Sequence, residues 1–350
     1  MTRFAALVLL LAACPKGDKP TPKETGSGAP PPVVTAVPAD AAAPVSVEIP
    51  PAAPLPAVPQ SLPALADNPR VTADAVAFGE LLFFDPRLAA TGTRACATCH
   101  DPARGYSGGV DPAADGKPNA RRTPSLYNLA WVKNLGWDGR AAGMGALLAP
   151  HLKGQLDAIE TSSARIAAVP LYAQHIARVG GTPAEAVLQA LEAYVLTRYE
   201  GDTPWDSLER TERTRPGANA TNPIVAGYKV FSGKAQCAQC HTPPLYTDNR
   251  YHRIIADTHG DKGRGLVDPK LAGAFRTPTL RGAMTRGAYF HDGNRHTIDE
   301  VLAHYQSADA AAVNPALAKI KLGPDEARQL GMFLNMLTNN RPALQKPTLP

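Results

Sequence analysis

Two copies of a short cysteine and histidine motif carry the most specific chemistry in this sequence. The segments CATCH and CAQCH each hold a cysteine pair followed by a histidine, namely Cys96, Cys99 and His100 in the first and Cys237, Cys240 and His241 in the second. In a C-x-x-C-H segment the two thiols attach covalently to a haem, and the adjacent histidine binds its iron. Each copy therefore predicts one c-type haem with a proximal histidine.

Two other kinds of site use cysteine pairs of this spacing. A redox-active C-x-x-C dithiol does not need a histidine at the next position, and a zinc site formed by both pairs together does not need it twice. The repeated histidine therefore favours two haems over either alternative.

The elements that must position the two motifs also repeat. The segments VTADAVAFGELLFFDPRLA and NPIVAGYKVFSGKAQ each predict a helix and a turn before the cysteines. A capping box at Thr182 and Glu185 starts a helix that closes the first half, and GPDEARQLGMFLNMLT predicts a helix that closes the second. Few strands are visible. We predict a mainly α fold with two cytochrome c-like domains, at residues 67–215 and 216–345, each binding one covalent c-type haem.

The segment TIDEVLAHYQS, residues 297–307, offers two further metal ligands. Thr297 and Glu300 predict the start of a helix, on which Tyr305 continues an apolar stripe formed by Ile298, Val301 and Leu302. His304 lies about 100° round the helix from Tyr305. Tyr305 is therefore predicted to face inward, either as an ordinary buried tyrosine or as an iron ligand.

The amino end predicts an exported protein. Residues 1–14, MTRFAALVLLLAAC, have a basic start, a short apolar stretch and small residues before Cys14. This ending resembles a bacterial lipoprotein signal in which Cys14 is lipidated, and a plain signal peptide cut elsewhere is the alternative. The Pro/Ala-rich residues 15–66 predict a semi-extended tether. We expect a lipid-anchored body on the periplasmic side of the cell envelope, with the outer membrane favoured because no retention aspartate follows Cys14.

Composition is that of a globular protein. The chain has 350 residues, of which 44% are apolar, and a net charge of +5. It contains no block of lysine and arginine long enough to predict a nucleic-acid tract, so no binding of DNA or RNA is expected.

Several stretches resemble the bacterial dihaem cytochrome c peroxidase family, which includes MauG. The matching segments occur in family order between about residues 71 and 338: GELLFFDPRLAATGTRACATCHDP, RRTPSLYN, GWDGRA, VFSGKAQCAQCH, FRTPTLRG and YFHDG. The resemblance implies a peroxidatic haem in the amino-terminal domain and an electron-transfer haem in the carboxyl-terminal one. Trp137 in GWDGRA matches the tryptophan that the family places between the haems. His291 in YFHDG matches a histidine beside the second haem.

The resemblance also assigns the distal ligand of the second haem. Family members carry this ligand fourteen residues after the YFHDG histidine, which here is Tyr305. Many peroxidases of the family have methionine at this place, whereas MauG-like members have tyrosine. A phenolate stabilises ferric iron and lowers the reduction potential. Tyr305 is therefore the expected ligand, and His304 is its rival.

Departures from the family pattern concern the first haem. The loop from Asp101 to Arg122 contains no histidine, so we expect the iron opposite His100 to be open, as in MauG-like members. Arg122 replaces the asparagine of the family's RNxP, which puts the interdomain calcium in doubt.

The distal proton-transfer residue of the first haem is also hard to place. Leu147 stands near the family's distal glutamine. Asp157 is preferred as the acid or base, with Gln155 and Glu160 as competitors, and His151 is a further distal candidate.

Three functions follow as hypotheses. The first is reduction of hydrogen peroxide at the amino-terminal haem, with electrons from a small periplasmic cytochrome c or cupredoxin relayed through the carboxyl-terminal haem and Trp137. The second is MauG-type use of peroxide to oxidise a tyrosine or tryptophan on a partner protein. The third is a dihaem electron carrier without peroxidase turnover. Tyr305 and the loop without histidine favour the second function over the first. The sequence does not fully separate the two functions.

Overall fold

The computed structural model of the chain describes residues 48–111, 113, 115–117, 119–341 and 344–350. The predicted signal peptide with Cys14, and residues 15–47 of the predicted tether, lie outside the described residues. Among the helices that are described, none combines the length and the apolar character needed to cross a membrane.

The first half of the folded body surrounds the CATCH motif with helices and one short hairpin. Its helices are α1 Ala73–Phe84, α2 Cys96–Cys99, α3 Met144–Gln155, α4 Ile159–Ala167, α5 Pro170–Val179 and α6 Pro183–Leu196. The strands β1 Asn134–Leu135 and β2 Ala141–Ala142 pair antiparallel, with Leu135 opposite Ala141.

The second half surrounds the CAQCH motif in a similar way. Its helices are α7 Pro204–Thr214, α8 Pro223–Ser232, α9 Ile298–Tyr305, α10 Ala308–Val313 and α11 Pro324–Asn335. The strands β3 Tyr251–His252 and β4 Phe275–Arg276 pair antiparallel, with His252 opposite Phe275. The motif itself begins in a 3-10 turn, Cys237–Gln239. The remaining connections are long loops with further 3-10 turns.

Each half contains a close crossing of two helices at a glycine. A Cβ on Gly79 of α1 would overlap the carbonyl oxygen of Ala190 in α6, and one on Gly227 of α8 would overlap that of Gln329 in α11. Because neither position has room for a side chain, the two backbones touch directly. In both halves, therefore, the helix that precedes the cysteines crosses the helix that closes the half.

Two hydrophobic cores follow from these crossings. The first lies among α1 and α3–α6, and the second lies among α7, α8, α9 and α11. Trp205 of α7 is buried in the second core, which therefore reaches back across the predicted boundary at residue 215.

Residues 48–66 lie against the folded body: Leu62 is buried, and the Ser61 amide donates to the Asp202 carboxylate at 2.9 Å.

The helices predicted from periodicity and capping are present. Thr182 and Glu185 form the capping box of α6, and the Thr297 hydroxyl accepts from the Glu300 amide at 3.1 Å at the start of α9. Four apolar residues of the segment GPDEARQLGMFLNMLT are buried in the second core: Leu330, Phe333, Leu334 and Leu337.

We expect Gly79→Ala and Gly227→Ala each to lower the free energy of unfolding by about 1–3 kcal/mol or more, because the added methyl group overpacks the helix crossing. Denaturant unfolding of the haem-loaded protein measures the change. Gly331→Ala in α11 is the matched control, since a Cβ there has no neighbour within 4 Å. An unchanged midpoint for both crossing variants would contradict the close approach of the backbones.

Candidate functional site

Both motif histidines are held in the same orientation by a backbone carbonyl. The Nδ1 atoms of His100 and His241 lie 3.1 Å from the carbonyl oxygens of Tyr106 and Tyr246. A carbonyl can only accept, so Nδ1 carries the proton and Nε2 is left with a free lone pair. Burial lowers the pKa of each imidazole to about 4, which keeps both neutral. Each histidine is therefore prepared to bind a metal through Nε2.

A large hollow opens in front of His241. Its wall is mainly apolar and includes six predicted site residues: Cys237, Cys240, His241, Trp137, His291 and Tyr305. The four stripe residues of α9, Ile298, Val301, Leu302 and Tyr305, all face it. The structure therefore brings the predicted carboxyl-terminal haem residues together around one space.

Tyr305 and His304 differ in what their polar atoms contact. In the described part of the chain the Tyr305 hydroxyl has no hydrogen-bond partner, although it lines the hollow. Burial raises the pKa of Tyr305 above its ordinary value, so a metal must displace the phenolic proton to be bound there. His304 does not line the hollow, and its Nε2 atom lies 2.7 Å from the Ile254 carbonyl oxygen. The contacts support Tyr305 rather than His304 as the ligand.

Trp137 is 6% exposed and is held between the two halves. Its indole Nε1–H donates to the Arg122 carbonyl at 2.9 Å, and its own carbonyl accepts from the Arg276 amide at 2.8 Å. Arg122 and Arg276 each begin an Arg-Thr-Pro segment. The backbones of the prolines that end these segments, Pro124 and Pro278, lie near His100 and His241 and raise the pKa of their imidazoles, against the larger effect of burial. Trp137 therefore connects two segments that each pass close to a motif histidine.

His291 lies beside the same hollow and is buried. Its ring stacks on Phe275 with the centroids 3.5 Å apart, and its carbonyl accepts from the Arg122 amide at 2.8 Å. These contacts place His291 next to Trp137 and the carboxyl-terminal motif. Its role toward a haem stays a prediction.

Three buried arginines line the hollow: Arg122, Arg276 and Arg286. Among the described residues none of them forms an ion pair with a carboxylate, and Arg286 Nε has no hydrogen-bond partner. Burial lowers the pKa of all three guanidinium groups, yet an arginine stays charged at neutral pH. Because buried positive charge without a counter-ion is costly, these residues fit the propionate groups of a haem and oppose a calcium ion.

The residues predicted on the distal side of the first haem are not gathered around one space, unlike those of the carboxyl-terminal hollow. Asp157 forms an ion pair with Arg165 at 2.8 Å, which lowers the pKa of its carboxyl group. Gln155 Nε2 lies 3.5 Å from Asn119 Oδ1, and Glu160 is exposed. In contrast, the ring of His151 lies 6.2 Å from the ring of His100, measured between centroids. A proton-transfer role for Asp157 stays a prediction.

The two cysteine pairs lie against different cores, Cys96 against the first and Cys237 against the second. This separation opposes one zinc site made from both pairs. The thiols of both residues have pKa values raised by burial to about 12, which is unlike the acidic thiols of redox dithiols. Cys240 also lies near Asp248 and His252, whose Oδ2 and Nε2 atoms are 2.7 Å apart.

Sequence reasoning missed the part played by Arg276, Arg286 and Phe275. The repeat of Arg-Thr-Pro in RRTP and FRTP was a usable signal for Arg276, because the two segments occupy equivalent places in the two halves. Nothing local distinguishes Arg286 from other loop arginines.

Comparison with known proteins agrees with a chain that carries two c-type haem motifs. The sequence model of the family described as di-haem cytochrome c peroxidase matches residues 73–214. The methylamine utilization protein MauG of Methylorubrum extorquens is 35% identical over 312 residues, covering 83% of this chain and 86% of that protein. The cytochrome-c peroxidase IdrP1 of Denitromonas iodatirespirans is 30% identical over 358 residues, covering 89% of this chain and 93% of that protein.

The fold has a solved counterpart. A crystal structure of a MauG-like protein associated with microbial copper homeostasis superposes with a TM-score of 0.70 at 23% identity, covering 81% of this chain and 95% of that one. The predicted mainly helical fold with two cytochrome c-like domains is confirmed.

We expect Tyr305→Phe to abolish or replace the low-spin ferric signal of the carboxyl-terminal haem, because a phenyl ring cannot bind iron. Low-temperature EPR of the oxidised, haem-loaded protein measures this, and reduction of the variant at a higher potential is the expected companion result. His304→Ala is the matched control on the same helix. A signal that survives Tyr305→Phe but changes in His304→Ala would make His304 the ligand.

Proposed function

Since the chain belongs to the di-haem cytochrome c peroxidase family, we propose that it reduces hydrogen peroxide at the haem of the CATCH motif with electrons relayed through the haem of the CAQCH motif. The family is one of oxidoreductases that carry two c-type haems. The haems supply the redox chemistry when bound. Two electrons and two protons convert each peroxide molecule to two water molecules.

The connection made by Trp137 is the observation that carries this proposal. An electron that moves between the two haems must cross the boundary between the halves, and Trp137 lines the carboxyl-terminal hollow while its indole N–H donates to Arg122. Arg122 lies two residues before Pro124, whose backbone lies near His100. An indole at this point supplies a conjugated group on the path between the two motif histidines.

The geometry around the motif histidines supports different roles for the two haems, with peroxide reduced at one and electrons relayed by the other. Both offer Nε2 to a metal, and the carboxyl-terminal hollow also presents Tyr305, whose hydroxyl has no hydrogen-bond partner in the described chain. His241 and Tyr305 would both bind the iron of a haem in this hollow, which would leave no free position for peroxide and would favour the storage of oxidising equivalents. The peroxidatic role then falls to the haem of His100.

A second candidate function is peroxide-dependent oxidation of a tyrosine or tryptophan on a partner protein. Tyr305 favours it, because a hard anionic ligand lowers the reduction potential and disfavours electron uptake from a high-potential donor. The similarity to MauG points in the same direction. The donor in the first function is a small periplasmic cytochrome c or cupredoxin.

We expect Trp137→Phe to slow peroxide-driven oxidation of a reduced small cytochrome c at least about tenfold, a barrier increase of about 1.4 kcal/mol, because phenylalanine is harder to oxidise. Stopped-flow absorption measures the rate. Trp131→Phe is the control: Trp131 packs edge-on against Tyr199 and does not line the carboxyl-terminal hollow. Equal rates in wild type and Trp137→Phe would contradict the relay. Side-chain oxidation on a partner protein without added reductant would favour the second function.

Members of the family are periplasmic. We propose in addition that a lipid on Cys14 holds the protein at the cell envelope, with the outer membrane as the favoured site. The LAAC ending of residues 1–14 motivates this. Cys14→Ala is expected to move the protein from the membrane fraction to the soluble periplasmic fraction, and unchanged fractionation would contradict the lipid anchor.

A further inference from the structure

Another cavity, which we call the outer cleft, opens beside the loop that follows the CATCH motif. Its volume is about 450 Å³, within the size range of small-molecule sites in proteins. Its rim is open to solvent, since the lining residues Pro56 and Ala103 are exposed. The buried residues Tyr106 and Glu200 line it at depth, together with the partly buried Tyr127. The outer cleft therefore joins the surface to the interior near the first motif.

Tyr127 packs closely against backbone from both halves of the molecule. A Cβ on Gly105 would lie 3.2 Å from the Tyr127 ring, and one on Gly282 would lie 2.8 Å from it. Because there is little room for a side chain at either glycine, the ring is held against the backbone and its orientation is fixed. Its hydroxyl has no hydrogen-bond partner among the described residues, although Tyr127 lines the outer cleft.

Glu200 lies next to Tyr127. A Cβ on Gly282 would be near both side chains, at 2.8 Å from the Tyr127 ring and 3.8 Å from Glu200 Cγ. Asn128 fixes the pair, because its Oδ1 accepts from the Glu200 amide at 2.9 Å and its Nδ2 donates to the Glu200 carbonyl at 3.0 Å. One carboxylate oxygen accepts from the Asn339 amide at 2.6 Å. Burial raises the pKa of the Glu200 carboxyl group, so its carboxylate is a better proton acceptor than an exposed one.

Tyr106 connects Tyr127 to the proximal histidine of the CATCH motif. The rings of Tyr106 and Tyr127 pack edge to face with their centroids 5.5 Å apart. The Tyr106 carbonyl accepts from His100 Nδ1 at 3.1 Å. Electron transfer between groups in contact is fast, because it needs no long jump through space. These residues therefore form a continuous path from the outer cleft to a ligand of the first haem.

This path suits a donor that gives up an electron and a proton together. Oxidation of a tyrosine releases its phenolic proton, whose ordinary pKa is about 10, because the oxidised phenol is a strong acid. Glu200 is placed to accept that proton. A cytochrome or cupredoxin supplies only an electron and is far larger than the outer cleft. A small phenol supplies both, and its ring can lie against the tyrosine and proline rings that line the cleft.

We propose that the outer cleft binds a small phenolic donor and that Tyr127 relays its electron through Tyr106 toward the haem of His100, with Glu200 as the proton acceptor. The proposal rests on the proposed peroxidase function and adds a second donor site to it.

The electrons and protons of this relay balance. Tyr127 loses an electron to the haem side and its proton to Glu200. The phenol then returns an electron and a proton to Tyr127 and leaves as a phenoxyl radical. The proton held by Glu200 is released and replaces one that peroxide reduction takes from solvent. Two phenols therefore supply the two electrons and two protons that convert one peroxide molecule to two water molecules.

Peroxide-driven oxidation of guaiacol, a small phenol, by the haem-loaded protein tests the relay. Tyr127→Phe should lower kcat for guaiacol at least about tenfold relative to the rate with reduced small cytochrome c, because phenylalanine is much harder to oxidise. The KM for guaiacol should change little, since the ring is kept. Tyr228→Phe is the matched control, because Tyr228 packs against Trp205 in the second core and does not line the outer cleft. Equal guaiacol rates in wild type and Tyr127→Phe would overturn the relay.

Glu200→Gln tests the proton acceptor through the pH dependence of the guaiacol rate. In wild type the rate should rise with pH through the pKa of Glu200, because only the ionised carboxylate accepts a proton. The charged and titratable groups near this carboxylate are Tyr127, Arg281, Arg286 and Arg341. Burial raises the pKa of Tyr127 and the arginines stay charged, so none of them titrates near neutral pH. Glu200→Gln should abolish the rise, and a rise that persists would overturn the role of Glu200.

Binding of guaiacol to the resting protein is measured without peroxide by saturation-transfer difference NMR. A signal is expected for wild type and for Tyr127→Phe. It should fall several-fold when Ala57→Leu and Ala103→Leu are combined, since the added side chains narrow the outer cleft from two walls. Binding that this double variant does not reduce would overturn the outer cleft as the donor site. A failure of the peroxidase function is recognised separately, because then neither guaiacol nor cytochrome c is oxidised while the NMR result still decides whether the cleft binds a phenol.

Discussion

Trp137 makes one hydrogen bond to each half of the molecule, through its indole N–H to Arg122 and through its carbonyl to the Arg276 amide. Each of these arginines begins an Arg-Thr-Pro segment whose proline lies near a motif histidine. The two segments that pass close to the proximal imidazoles therefore meet at one residue. A shift of Trp137 would move both segments, so the spacing of the two iron sites and the path between them are fixed together.

The electrostatics of the carboxyl-terminal hollow follow from the same region. Arg122 contacts Trp137 through a guanidinium that lies 5.0 Å from the ring centroid, and it is buried without a carboxylate partner in the described chain. Together with Arg276 and Arg286 it makes the space around Trp137 strongly cationic. Such a site binds haem carboxylates and repels a divalent cation. A guanidinium near the indole also makes removal of an electron from Trp137 harder, which limits how long a charge can remain there.

Much of the architecture could be predicted because its signals are local. The stripe that ends at Tyr305 needed only the helical period and the capping residue Thr297, and the structure turns that stripe toward the hollow. The distal side of the first haem could not be predicted in this way. Asp157 is the preferred acid or base, and in the structure its carboxylate forms an ion pair with Arg165 in the last turn of α4. The direction in which a side chain points after a loop depends on what packs against it.

Local sequence was enough to predict the two haem attachments, the helical fold and the inward face of Tyr305, because covalent motifs and helical periodicity act over a few residues. The packing of the folded chain sets which distant groups share a space. It brought the ring of His151 in α3 to 6.2 Å from the ring of His100, measured between centroids, and it gathered Arg122 and Arg276 around Trp137. These contacts join residues far apart in the chain, and their geometry is set by how helices and loops pack, which no local pattern encodes.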